Sequence, residues 1–343
     1  SYTLKIAGGD EKTKFNASIG HLDDEGTLLN SDYRKINGIL NLKHKINNKL
    51  DATLGVIYAN TVLRGLNTKG NSSYSFMRNL ITYPNVVNKF KDYGDNNPLY
   101  GINTDEFDVN NIFNWHPILS LKNEYRKNEA NQFISNISLR YKITSNLIFE
   151  TKGSYNGNFR RNGIFNNSNT VYGRLINPIN GINGTMDYQN FKTLSNINTL
   201  TYHKTFGNQD LNVLIGSSVN SRKITRTFIR SIQIPQYAES QGINSLDEGT
   251  QSSTDDIIGS TEERIKSFLG RLNYTFKDKY LLTASIRRDG SSKFSPGHNI
   301  GIFPSLAMAW KAEEEEFIKR IGFISQLKFK GGYGETGNDR IPG

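Results

Sequence analysis

The 343-residue sequence contains no cysteine and few long apolar stretches. The first absence excludes disulfide bridges, thiolate metal ligands and cysteine nucleophiles within this stretch. Hydrophobic residues make up 36% of the chain, the mean hydropathy is −0.56, and no run approaches the ~20 apolar residues of a membrane-spanning helix. A membrane β-barrel is not excluded by this shortage, because strands that alternate apolar and polar residues average to a polar score.

Patterns typical of catalysis or cofactor binding are missing as well. The five histidines are spread along the chain, and none is paired at the spacing of metal ligands. The glycine-rich run 331–337 lacks the Lys-Ser/Thr ending of a phosphate-binding loop. We therefore predict no enzyme, no cofactor and no metal site. The net charge is +10, but the basic residues are scattered, so we expect a solvated basic surface and no nucleic-acid partner.

Apolar residues recur at every second position through most of the chain. The clearest example covers 268–276 and 280–286, two alternating runs separated by the polar turn 277–279. A polar loop, 287–299, then leads to a third alternating run that ends at Trp310. Two-residue periodicity broken by short polar turns predicts antiparallel hairpins.

The connections between these runs differ in length in a regular way. We predict about twelve strands of about ten residues, which is near the ~9–11 residues of a membrane-spanning β-strand. Long loops are expected at about 62–130, 158–190 and 223–264, with short turns between them and a short helical turn at Glu313–Arg320. Short turns on one side and long loops on the other are typical of an outer-membrane barrel. A soluble β-sandwich or propeller is the alternative on pattern alone, since its strands alternate too.

The first long loop is rich in aromatic residues that could contact a substrate. Sugar rings stack on aromatic faces, and this makes the exposed rings of a long loop the first candidates. We single out Tyr74, Tyr93, Tyr100 and Trp115. The alternative, in which these rings pack the loop against its neighbours, stays open.

Three segments resemble one protein family. The first spans residues 8–26, and the third combines Leu327-Lys328 with Gly332-Tyr333-Gly334 and Thr336-Gly337-Asn338. The second is the most specific: DKYLLTAS at 278–285 and RRDGSSKF at 287–294, followed by FPS at 303–305 and Trp310. Together they look like the barrel of SusC/RagA-type TonB-dependent outer-membrane transporters. The motif residues are Arg287, Arg288, Asp289, Gly290, Ser291, Ser292, Lys293 and Phe294.

Within this motif, opposite charges lie close together in the sequence. We expect Arg287-Arg288-Asp289-Gly290 to fix a loop through an internal ion pair, with a substrate contact as the alternative.

The resemblance implies more than the residues themselves do. It implies an all-β, transmembrane antiparallel barrel in the cell outer membrane, with about 22 strands in the whole protein. Residues 1–343 would be one partial barrel domain that supplies about twelve of them. An N-terminal plug, the segment that contacts TonB and the C-terminal strands would then lie outside this sequence.

The resemblance also implies a function and a set of partners. These are TonB-dependent import of oligomeric nutrients, either glycans or peptides, with a SusD-like surface lipoprotein. TonB, outer-membrane lipid and an oligosaccharide or peptide substrate complete the expected partners. The alternative is a SusC-like barrel that serves as a structural scaffold in an outer-membrane assembly or secretion complex.

Overall fold

The computed structural model describes residues 1–65, 81, 121–173, 180–251 and 257–339, and most of these residues are in β-strands. Thirteen strands occur in these ranges. They are β1 (Tyr2–Gly9), β2 (Thr13–Glu25), β3 (Asp32–Lys45), β4 (Leu50–Arg64), β5 (Glu124–Lys142), β6 (Leu147–Asn166), β7 (Asn183–Phe206), β8 (Gln209–Ile232), β9 (Thr250–Gln251), β10 (Ile257–Phe276), β11 (Tyr280–Ser291), β12 (Ile300–Lys311) and β13 (Lys328–Gly334).

The strands form one antiparallel sheet in which neighbours in sequence are neighbours in space. The order is β1 to β8 followed by β10 to β13, and the two-residue β9 pairs with the end of β8. β1 and β13 are the two edges, so the sheet is open. The predicted all-β antiparallel architecture is confirmed, as a segment of a barrel wall.

The connections sort by length between the two ends of the sheet. At one end, which we call the short-turn end, lie the turns 10–12, 46–49, 143–146, 207–208 and 277–279. At the other, the long-loop end, lie the connections 26–31, 65–123, 167–182, 233–256 and 292–299. One connection departs from the rule, because 312–327 is at the short-turn end. It holds a 3₁₀ turn, Ala312–Glu314, and a one-turn helix, Glu316–Lys319, where the sequence predicts a helical turn.

The strands are longer than the sequence predicts, and the long loops are correspondingly shorter. β7 and β8 each contain 24 residues, and together with β6 and β10 they take up much of the predicted loops 158–190 and 223–264. The reason is that the backbone hydrogen bonds that define a strand do not depend on which side chains the strand carries. The backbone continues to pair after the apolar pattern has ended.

Cross-strand register separates the sheet into two faces, since paired residues lie on the same face. One row joins Leu200, Ile215, Gly270, Ile286 and Pro304 across five strands. We call this side the apolar face; Ile215 and Phe268 on it are 56% and 57% exposed. The opposite, polar face carries rows such as Asn41, Gly55, Asn136, Ser154 and Ser195.

Buried side chains are concentrated in one small cluster at the long-loop end. Phe165, Ile182, Ile234 and Ala238 are buried together, and the 3₁₀ segment Gln236–Ser245 supplies the last of them. The apolar face itself has no covering layer within the described ranges. No helix in those ranges is long and apolar enough to cross a membrane.

Candidate functional site

The sequence motif 287–294 lies at the long-loop end of the sheet. Residues 287–291 are the last five of β11, and 292–294 begin the connection to β12. Alternation along the strand places Arg287, Asp289 and Ser291 on the polar face. Arg288 and Gly290 therefore lie on the apolar face, in register with Phe268 and Lys266 of β10.

The motif contains the internal ion pair that the sequence predicts. Arg287 Nε donates to both carboxylate oxygens of Asp289 at 2.8 Å, and Arg287 Nη2 donates to Ser267 Oγ at 3.1 Å. Ser267, on the neighbouring strand β10, is 1% exposed. The Arg287 side chain is thus held against the sheet by a neighbour on its own strand and a buried hydroxyl on the next.

The connection that follows is tied to β10 and to the segment after β13. The amide of Ser292 donates to the carbonyl of Arg264 at 2.9 Å, while Ser292 Oγ accepts from the Arg264 amide at 2.8 Å. Lys293 Nζ lies 3.3 Å from Glu263 Oε1 and donates to the Asp339 carbonyl at 3.3 Å. These contacts join three separate parts of the chain at the long-loop end.

A cleft of about 340 Å³ opens beside the motif on the polar face. Its lining combines charged and aromatic groups: Arg287, Asp289, Phe294, His298, Phe303 and Asn338. The ring of Phe303 lies directly against Gly301 and Gly337, where a Cβ atom at either glycine would collide with it. Rings beside charged and amide groups suit a polar ligand such as a sugar or a peptide.

The polar face offers a second depression nearer the short-turn end. It measures about 380 Å³ and lies over Gly55, between Asn41, Asn136 and Lys152. Lys152 Nζ pairs with Glu150 at 3.1 Å, and Glu150 also accepts from Ser138 Oγ. Within the described ranges no three His, Cys, Asp or Glu side chains come close enough to hold a metal ion. This face can bind polar groups through amides and single charges.

Sequence reasoning missed Glu315, in the connection 312–327. Its carboxylate accepts from Tyr280 OH at 2.6 Å, from Lys279 Nζ at 2.9 Å and from Trp310 Nε1 at 3.2 Å. These hydrogen bonds, from Tyr280 first, lower the pKa of Glu315 to about 2. No local signal identifies the site, because Glu315 is 35 positions from Tyr280 in the sequence and belongs to a different element.

The four aromatic candidates, Tyr74, Tyr93, Tyr100 and Trp115, lie outside the described residues. Their role in substrate binding stays a prediction.

Known proteins are similar to this chain in sequence and in architecture. The family model described as TonB dependent receptor-like, β-barrel matches residues 92–338. TonB-dependent receptor P39 of Formosa agariphila is 31% identical over 98% of this chain, and TonB-dependent receptor SusC of Bacteroides thetaiotaomicron is 27% identical over 98%. The match covers 30% and 33% of these relatives, so the chain spans about a third of their length.

A solved structure shows the same fold. The RagAB peptide importer in its closed-closed state aligns with a TM-score of 0.73 at 21% identity. The alignment covers 99% of this chain and 36% of the importer chain.

Proposed function

Because the chain belongs to the TonB-dependent receptor-like β-barrel family and is similar to SusC along almost its whole length, we propose that the whole protein imports oligomeric nutrients across the outer membrane. The substrates are glycans or peptides, and the energy comes through TonB. A SusD-like lipoprotein covers the long-loop end. The protein is a transporter and not an enzyme.

We further propose that residues 1–343 form one part of the barrel domain. Since the relatives are about three times as long, they have room for a plug, a TonB-contacting segment and the strands that close the barrel. The two open edges, β1 and β13, support this arrangement. An unpaired strand edge in lipid leaves backbone groups without hydrogen-bond partners, which costs several kcal/mol per group.

The observation that carries the proposal is the difference between the two faces of the sheet. Its apolar face is exposed, as at Ile215 and Phe268, and its polar face is lined with amides, hydroxyls and single charges. In a barrel the first face meets lipid and the second lines an aqueous lumen. A soluble sheet would have covered the apolar face with a second layer.

For the motif 287–294 we propose a structural role, supported by its ties to β10 and to the segment after β13. For Tyr74, Tyr93, Tyr100 and Trp115 we propose contact with substrate.

The function is tested by deleting the gene and restoring it on a plasmid. The deletion strain is grown on single glycans and peptide mixtures, and the full-length protein is purified from detergent-extracted outer membrane together with its partners. Import predicts a growth defect on one nutrient class and one lipoprotein partner in equal amount. Unchanged growth on every nutrient, with several secretion components bound, would support the scaffold alternative instead.

A further inference from the structure

Basic residues that are scattered in the sequence come together on the apolar face. Lys192 of β7 pairs in register with Lys223 of β8, and Arg264, Lys266 and Arg288 lie on the neighbouring strands β10 and β11. All five side chains are exposed. We call this set the basic patch. Its members come from four strands, and only the sheet register brings them together.

The patch lies about one membrane thickness from tyrosines near the short-turn end of the same face. Lys192 is about ten positions from Tyr202 along β7, and Arg264 is about ten from Tyr274 along β10. A tilted strand crosses the ~25 Å apolar band of a barrel in about ten residues. With long loops outside the cell, the patch is therefore at the outer boundary of the membrane.

Several other basic residues on this face are paired with acidic ones. Arg34 pairs with Asp23 at 3.2 Å, and Lys127 pairs with Glu129. In the patch, Glu262 pairs with Arg264 at 2.7 Å. No ion pair to Lys192, Lys223, Lys266 or Arg288 is found in the described part of the chain, although Lys223 is in register with Glu262. The patch therefore keeps a net positive charge.

An apolar groove begins at the patch and runs toward the membrane centre. Arg288 lines its rim, and Phe268, Ile215 and Leu200 line its walls, with Gly270 leaving the floor open. Its volume is about 520 Å³. A Cβ atom at Gly270 would meet only Ile286, at 3.7 Å, so the floor has room for a larger side chain.

We propose that the patch and groove bind a phosphate-bearing lipid of the outer leaflet. The phosphate contacts the basic patch through charge-assisted hydrogen bonds, and one acyl chain lies in the groove over Gly270. An anionic head joined to an apolar tail is complementary to a basic rim and an apolar floor on a lipid-facing surface. The proposal depends on the outer-membrane location and is independent of what the protein imports.

The test uses the full-length protein in uncharged detergent, titrated with monophosphoryl lipid A and with the same lipid lacking phosphate. Native mass spectrometry counts the bound lipid. The patch variant carries Lys192→Gln, Lys223→Gln, Lys266→Gln and Arg288→Gln. The control carries Lys5→Gln, Lys14→Gln, Lys35→Gln and Lys43→Gln, four basic residues on the polar face.

We expect the patch variant to bind lipid A about several hundredfold more weakly, since each of the four removed interfacial charges contributes about fivefold. The control should bind as the wild type does, and removing the phosphate from the lipid should weaken wild-type binding by a similar factor. Equal affinity of the two variants, or equal binding of the phosphate-free lipid, would overturn the proposal. So would displacement of the lipid by inorganic phosphate at the same concentration.

The groove is tested separately with Gly270→Leu, which fills its floor. Gly259→Leu is the matched control, because Gly259 also has open space around its Cα but lies on the polar face. Weaker lipid binding for Gly270→Leu alone is expected. Equal effects of the two substitutions would contradict a role for the groove.

Discussion

The Arg287 guanidinium is held between the carboxylate of Asp289 and the buried hydroxyl of Ser267, with about half of its side chain exposed. Asp289→Asn should lower the free energy of unfolding by less than about 1 kcal/mol, because solvent screens the pair. The local effect should be larger: trypsin should cleave after Lys293 faster, since the connection loses its anchor. Limited proteolysis of the full-length protein measures this.

The matched control is Asp23→Asn, which breaks a similarly exposed ion pair with Arg34 at a distant site. Equal cleavage after Lys293 in both variants would show that the Arg287–Asp289 pair does not fix the connection.

The hydrogen bonds of Glu315 should make the local stability of the connection 312–327 depend on pH. Its pKa is about 2 in the folded protein, below the ordinary 4.5, so its anchoring is fully present above about pH 4.5 and is lost as the pH falls toward 2. Amide hydrogen exchange of 312–327, corrected for intrinsic rates, should accelerate in this window. In Glu315→Gln exchange should be fast at pH 7 already, with no further step on acidification.

Glu314→Gln is the control for this region, because Glu314 pairs only locally, with Lys319 at 2.8 Å. A wild-type response in Glu315→Gln, or the loss of the response in Glu314→Gln, would contradict the anchoring role.

These two residues show what a sequence can reveal at this scale. The Arg287–Asp289 pair is predictable, because residues two apart on a strand share a face. The role of Glu315 is not, because its three partners belong to β11, β12 and the turn before β11. A run of four glutamates reads as a solvated turn until tertiary structure brings Lys279, Tyr280 and Trp310 next to one of them.

At the scale of elements, the strands follow the predicted alternation over only part of their length. β8 alternates at Leu211, Val213 and Ile215, but it continues to Ile232 through a stretch in which apolar and polar residues no longer alternate regularly. The sequence therefore predicts the existence and order of the strands, and it misplaces their long-loop ends. Pairing with β7 and β10 holds that part of β8 in the sheet.

The two faces of β7 and β8 should tolerate charge very differently. Ile215→Arg puts a cation on the apolar face, where it should cost about 2–4 kcal/mol if the side faces lipid near the midplane. Thr201→Arg puts the same charge on the polar face, which should cost less than about 1 kcal/mol. Equilibrium unfolding of the full-length protein in lipid vesicles compares them. Equal costs would argue that the apolar face does not meet lipid.

At the scale of the whole molecule, the open edges of β1 and β13 limit what residues 1–343 can do alone. We expect this fragment, expressed by itself, to associate through its edges instead of inserting as a single closed barrel. Size-exclusion chromatography in detergent should show large oligomers for the fragment. The full-length protein should run as a discrete species, alone or with its partner. A monomeric, membrane-inserted fragment would contradict the partial-barrel account.

The pairing within each hairpin could be predicted, because turns of two to four residues leave the two strands no other arrangement. The cleft beside the motif 287–294 and the basic patch could not be predicted from the sequence. Phe303 meets Gly337 because the segment after β13 lies against β12, and Lys192 meets Lys223 through the register of β7 and β8. The residues of both sites can be found in the sequence, but which of them lie next to each other in space cannot.

The central claim is that the apolar face of the sheet meets lipid and the polar face meets water. Spin labelling of β7 tests this claim most directly. Residues 1–343 contain no cysteine, so single cysteines are introduced at 194–201 of the full-length protein, any cysteine outside residues 1–343 is replaced by serine, and the labelled protein is placed in lipid vesicles. β7 is a demanding choice, because Asn196 and Asn198 lie on the apolar face and Ile197 lies on the polar face. The oxygen accessibility of each label is therefore expected to follow the face on which its position lies, and not the type of the native residue.

Collision rates with oxygen, which concentrates in lipid, are measured at each labelled position. The account predicts a period of two, with high oxygen accessibility at Leu194, Asn196, Asn198 and Leu200 and low accessibility at the positions between them. The opposite phase, or no alternation along 194–201, would contradict the assignment of the apolar face to lipid.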